Sequence, residues 1–352
     1  MTLQPSGQIS ISDIANEFGY THNPETRLGS YRTTNGQGNF PVSFGALQFN
    51  SIDAASGGSV PTGSSQIAFS DFYGTKLHTI VNFYSGSTEN REVAKDKYNS
   101  GDPNKVQTVG NYTSPPSDSS GTKVHIHVNK TIGSEKTRVE HCALKTGLWD
   151  ANTDLQVDVG GSGRISGAGG NGGRGSVNSG SGFDGGDGTS GLGVQYSPTT
   201  VTVASGGFIQ AGFAGGGGGG GGFDTDKEAD RTASGGGGGG GAGVPAGDGG
   251  QEGSGGTEGG PGSAGNINDG GSGGGGSNND GEAFGGAGGA GGDRAGSAGE
   301  GADGTGGEGS RSSGGDPGNP GAAIRRNSGF TVNIDGTSLS RIHGDKTATG
   351  VL

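Results

Sequence analysis

The chain has 352 residues, room for two or three domains, but 89 of them are glycine and only 26% are hydrophobic. Of those glycines, 69 lie between Gly160 and Gly321, so a conventional side-chain core must be built mostly from the remainder. The net charge of −12 argues against nucleic acid and anionic membrane surfaces as partners. A single cysteine, Cys142, rules out an intrachain disulfide, and no apolar stretch approaches the length of a bilayer span, which argues against membrane insertion. No charged-then-apolar leader opens the chain, so assembly in a host cytoplasm without a signal peptide is expected.

Residues 1–76 contain an internal repeat. Ser6–Gly19 reads SGQISISDIANEFG and Ser64–Gly74 reads SSQIAFSDFYG. Each copy predicts a short extended piece, then one or two helical turns capped by Ser12 or Ser70, with Asp13 or Asp71 favouring the start and Gly19 or Gly74 the stop. A small α+β module is expected. The repeated pattern resembles N-terminal modules of virion structural proteins in tailed bacteriophages, which implies attachment to other virion proteins.

From 77 to 159 the composition is ordinary. HTIVNFY (78–84), KVQTV (105–109), KVHIHV (123–128), TRVEHCAL (137–144) and LQVDV (155–159) alternate apolar and polar residues as half-buried strands do. The reading is a middle antiparallel β domain. Three later segments share a pattern: LQVDVGGSGRISG, VTVASGGFIQAG and FTVNIDGTSLSRIHG. Each predicts a strand, a turn and a second short strand, bracketing the glycine tract from 160 to the C-terminus.

Within that tract the runs Gly215–Gly222 and Gly235–Gly241 enclose FDTDKEADRTAS. Collagen is excluded because its three-residue register breaks: 286, 289 and 292 are glycine but 295 is alanine, and the chain holds only twelve prolines. The ordered alternative is polyglycine II, with about 3.1 Å rise per residue and all hydrogen bonds made to neighbouring strands. The overall class is therefore mainly β, with a C-terminal polyglycine II bundle flanked by short strands. GAGGNGG (167–173), the two long runs, GGSGGGG (270–276), GGAGGAGG (285–292) and GTGGEG (304–309) together resemble the glycine-rich distal tail-fibre adhesins of T-even-type phages. That resemblance implies variable loops that bind a host cell-surface receptor, protein or glycan. One departure is that those adhesins ride on a separate fibre protein, whereas this chain carries its own N-terminal module. Two alternatives remain open: a purely structural fibre or filament subunit, and a glycan-cleaving tail spike.

If the loops bind, the candidates are the aromatic and charged residues of the inserts: Phe183, Tyr196, Phe223, Asp224, Asp226, Lys227, Arg231, Phe284 and Arg294. Aromatic faces stack on sugars or apolar side chains, while carboxylates and guanidinium groups pair with hydroxyls and charges. His125 and His127 alternate along one strand face and could ligate a metal if several copies met on an axis, as in a homo-oligomer. No other cofactor is implied. G-x-S-x-G, GxxxxGK[ST] and zincin patterns are all missing, so binding rather than catalysis is expected.

Overall fold

The computed structural model describes residues 4, 6–18, 28, 33–34, 37–38, 52–53, 66–73, 76–77, 79–83, 91–92, 123–136, 138–149, 151–225, 230–306 and 311–352. The protein is mainly β. Its single described α-helix, α1 (Ile11–Phe18), opens on a capping box in which the Ser10 N–H donates to the Asp13 carboxylate (2.8 Å) and the Asp13 N–H to the Ser10 hydroxyl (3.2 Å). The second repeat copy builds the same corner: the Ala68 N–H donates to Asp71 (2.7 Å) ahead of a 3-10 turn over Phe69–Phe72. The caps are thus Ser10 and Ala68, two residues before the expected Ser12 and Ser70, because an aspartate third inside the helix must reach back to the cap. The Tyr73 hydroxyl donates to the Gly7 carbonyl, tying the two copies together. Short pairs accompany them, β1 (Thr33–Thr34) with β2 (Gln37–Gly38) and β3 (Ile52–Asp53) with β4 (Lys76–Leu77). Gly19, Gly74 and the KVQTV segment lie outside the described residues.

The described strands between residues 79 and 159 pair in parallel, not antiparallel, as do the later strands stacked on them. The chain winds around one core and visits three sheets in turn. The first sheet stacks β5 (Thr79–Phe83), β7 (Lys123–Val128), β10 (Asp154–Val159), β13 (Thr199–Val203) and β21 (Val332–Ile334); the second β8 (Thr131–Ile132), β11 (Arg164–Ser166), β14 (Phe208–Gln210) and β22 (Ile342–His343). The third stacks β6 (Arg91–Glu92), β9 (Cys142–Lys145), β12 (Ser190–Val194), β20 (Ile324–Arg326) and β23 (Ala348–Thr349). All pairings within these sheets are parallel. Each turn of the winding puts like residues above like. The inward ladders are Ile126–Val157–Val201–Ile334, Ile132–Ile165–Ile209–Ile342 and Leu144–Leu192–Ile324, and nearly all of these residues form one buried cluster. Burial of each such side chain contributes about 1.5–3 kcal/mol. The three segments sharing a sequence pattern are successive turns of this prism.

The composition shift at residue 160 is therefore not a boundary of the sheets. The glycine-rich chain is inserted between the second and third faces, once after β11 and once after β14. It forms ten runs that travel out from the prism and back: 167–176, 182–189, 211–221, 234–243, 247–254, 259–265, 270–277, 285–292, 298–304 and 311–323. Backbone donors in a run change partner with a period of three. In 211–221, Gly212, Gly215 and Gly218 donate to the second run, Phe213, Gly216 and Gly219 to the fourth, and Gly217 and Gly220 to the ninth. The same run accepts from the first, eighth and tenth. Run 234–243 likewise donates to the first, sixth and eighth and accepts from the third, fifth and seventh.

These two runs each have six neighbours, and they contain the two uninterrupted polyglycine stretches. The reason is space. A Cβ on Gly218 would lie 1.9 Å from the Arg174 carbonyl oxygen, and one on Gly238 would lie 2.1 Å from that of Gly216. Outer runs face solvent once per three residues, and side chains occur there: Ala287 and Ala290 are exposed between buried Gly286, Gly289 and Gly292. On these flanks side chains also stand in for missing neighbours. Asp184 accepts from the Asp316 N–H (3.0 Å), Asp187 from Asn319 (2.6 Å) and Asn171 from Asp248 (2.9 Å).

Candidate functional site

The runs reverse direction at two ends. Turns at 244–246, 266–269 and 293–297 lie against the prism, while 177–181, 222–225, 230–233, 255–258, 278–284 and 305–306 lie at the far end. There β15 (Gly222–Thr225) and β16 (Asp230–Ala233) form an antiparallel hairpin with Phe223 opposite Thr232 and Asp224 opposite Arg231. Beside it β17 (Asn278–Asn279), β18 (Ala283–Phe284) and β19 (Thr305–Gly306) make a three-stranded antiparallel sheet. The continuous polyglycine runs end where this hairpin begins, and the residues from Phe223 on supply cross-strand side-chain packing that glycine cannot.

Hydrogen bonds join these connections. The Ser234 hydroxyl donates to the Gly255 carbonyl (2.6 Å), Ser277 to Ser234 (2.9 Å) and the Asn279 amide to Thr232 (3.1 Å). Arg174 donates to the Ser254 hydroxyl (2.8 Å), Ser312 to the Ser179 carbonyl, and Arg231 forms an ion pair with Glu282. Gly255 and Gly256 turn with φ of +92° and +72°, a region side chains rarely adopt. The far end is thus one braced surface.

Large apolar side chains stand exposed on it: Val177 (39%), Phe183 (53%) and Phe284 (39%), with Phe223 half-buried among them. Exposed aromatics held by rigid backbone are suited to binding, since little side-chain freedom is lost on contact. Asp224 is buried. Asp226 and Lys227 lie outside the described residues, between the paired Thr225 and Asp230.

Residues 88–347 match the family described as phage tail fibre adhesin Gp38. The chain belongs to the phage tail fibre adhesin family. It is accordingly a receptor-binding protein of a bacteriophage tail fibre, a virion appendage. Among solved structures it is similar to the gp37–gp38 adhesin tip complex of the bacteriophage S16 long tail fiber, with 17% identity over 80% of this chain and 87% of that one and a TM-score of 0.34. Among curated proteins none matches.

In this adhesin the remaining candidates lie away from the far end. Tyr196 sits at the corner between β12 and β13, packed against the prism core, where its hydroxyl accepts from the Thr153 N–H (2.9 Å). Arg294 lies in a turn at the prism end: its guanidinium stacks 3.9 Å over the Phe208 ring and Nε donates to Gln210 (2.7 Å). Gln210, fully buried, passes the contact on to Ser166 (2.8 Å) and the Ile267 carbonyl (2.7 Å). Burial and then neighbouring Arg164 push the Arg294 pKa below its ordinary value, with Asp269 opposing them. Both residues therefore pack on the prism, a placement that a reading of inserts alone could not foresee. His125 and His127 alternate on β7, in register with Gln156 and Asp158 of β10. Among the described residues no group of three His, Cys, Asp or Glu side chains is placed to hold a metal ion. Val177, Asn279 and Glu282 also lie at the far end; their only signal in the sequence is position in non-glycine interruptions between runs. No helix among the described residues is long and apolar enough to cross a membrane.

Proposed function

We propose that this adhesin binds a host cell-surface receptor, protein or glycan, through the connections at the far end of a polyglycine II bundle. The carrying observation is the three-residue period of backbone donors in runs that end in a braced, aromatic-bearing surface. Phe183, Phe223 and Phe284 are the assigned contacts, with Asp226 and Lys227 from the most charged insert. In this division of labour the module to about residue 76 joins the chain to other virion proteins, the prism is a mount, and the bundle is a spacer that cannot bend. Attachment to a fibre subunit is favoured by the resemblance to adhesins that cap a separate fibre protein. On this reading the chain acts by binding, in more than one copy per virion.

The test replaces residues 226–229 by Asn-Gly, a pair that closes a two-residue hairpin between Thr225 and Asp230. Virions carrying this variant should assemble normally and adsorb to their host at a rate lower by roughly tenfold or more, as expected when an interface loses a central contact group. Unchanged adsorption by virions with all five far-end connections altered would sink the reading.

A further inference from the structure

We infer that Arg231 and Glu282 are positioning residues that couple two far-end connections into one binding unit. This rests on the receptor-binding reading above. Arg231 lies on β16, in register with Asp224 on β15. Its Nη1 also pairs with the Glu282 carboxylate in the β17–β18 connection, and the side chains are 26% and 42% exposed. Those two elements are otherwise joined near their tips by the Asn279 amide on the Thr232 carbonyl (3.1 Å). The partners are 51 positions apart in the chain; the bases of the two elements are set by the Ser277 N–H on the Ser234 carbonyl (3.2 Å) and by close packing of Gly222 on the Phe284 carbonyl, and the ion pair is a further, side-chain tie between them.

The two elements that the pair joins also carry the aromatic groups of the surface. Phe223 stands on β15, across from Thr232, and Phe284 on β18, two residues after Glu282. A shift of one connection against the other changes the spacing of these rings, so the ion pair sets a distance that a receptor reads. An Arg paired with a carboxylate of the neighbouring connection is also less available for direct contact than its charge suggests. Arg231 thus moves from a candidate contact to a brace.

The experiment is a double-mutant cycle on intact virions, using Arg231→Gln, Glu282→Gln and the double variant, with cells of the propagating strain as probe. Each single variant should lower the adsorption rate about two- to fivefold, the range of a partly exposed ion pair, and the double should lose no more than either single. Arg231→Lys, which keeps the charge, should retain most of the rate. Raising salt should slow the parent toward the Glu282→Gln rate, since screening weakens the same pair. The purified variants should melt within about 2 °C of the parent, which separates positioning from general unfolding. Additive losses would mean that each residue touches the receptor on its own and would overturn the inference. So would full adsorption by Glu282→Gln while the 226–229 replacement still fails to adsorb. If virions with all five far-end connections altered adsorb normally, the receptor-binding reading fails, and the brace with it.

Discussion

The prism and the glycine bundle solve the same problem with opposite materials. In the prism, parallel strands bury ladders of Ile, Val and Leu, and stability comes from apolar surface removed from water. In the bundle the interior is peptide groups, and cohesion comes from hydrogen bonds to as many as six neighbouring runs and from close backbone approach. The first core tolerates small losses of volume; the second has no volume to lose and none to gain. A display platform benefits from the second kind. Its run positions are dictated by backbone spacing, so the connections at the far end can differ without repacking what holds them.

The largest predicted effect would break the three-residue rule itself. Deleting Gly238 leaves the two halves of run 234–243 one residue out of step, so donors on one side face the wrong neighbour. Buried peptide groups without partners cost about 1–3 kcal/mol each, and several are affected at once. The variant should fail to form the bundle, read as loss of soluble protein or of a cooperative thermal transition. Gly238→Ala is milder but still severe. Its methyl group meets the Gly216 carbonyl at 2.1 Å, and both runs are fixed by their other neighbours, so about 3 kcal/mol or more of destabilisation is expected.

The matching substitution in the prism is Ile165→Ala, which removes a rung from the isoleucine ladder. A loss of about 2–5 kcal/mol follows from transfer and cavity terms, measured by urea denaturation. Ile165→Val should cost about 0.5–1.5 kcal/mol, whereas no glycine in the two central runs has such a mild neighbour. A graded response in the prism against an all-or-none response in the bundle is the comparison in quantitative form.

Cys142 reports on the prism alone. Burial pushes its thiol up to about 12, against an ordinary 9.0, with Arg325 and Lys145 opposing. An unfolded chain loses this proton as pH rises past 9.0 while the folded chain keeps it. Stability is therefore intact below pH 9 and falls between 9 and about 12, by about 1.4 kcal/mol per pH unit from this group. A Cys142→Ala variant should lack that part of the alkaline slope. Equal slopes in parent and variant would show that the thiol is not protected by the prism.

Much of this contrast is legible in the residues. The two uninterrupted glycine stretches mark the runs with six neighbours, and the repeated strand-turn-strand segments mark successive turns of the prism. The direction of the strands was not legible, because alternation reports one buried face and is the same for a parallel prism as for an antiparallel sheet. The insertion of the bundle between two faces was hidden for a related reason. Ile165 and Leu192 lie 27 residues apart, and nothing in a glycine tract says that its ends return to one core. The candidate site divided along the same line. Phe183, Phe223 and Phe284 reach the far end, but Tyr196 and Arg294, equally conspicuous among small residues, are spent on the mount.

The smallest predicted effect is also the sharpest test of the period. Ala287 and Ala290 are exposed on run 285–292, three residues apart, and each carries its Cβ into solvent. Ala287→Ser and Ala290→Ser should change stability by less than about 0.5 kcal/mol, the usual range for exposed sites. Gly288, between them, lies where a Cβ would come within 2.1 Å of the Gly237 carbonyl oxygen, and Gly289 within 2.0 Å of that of Gly299. Alanine at either glycine should therefore destabilise clearly while serine at either alanine does not. A serial scan across 285–292 should rise and fall with a period of three; a flat profile would mean that the run is held by something other than backbone packed on backbone.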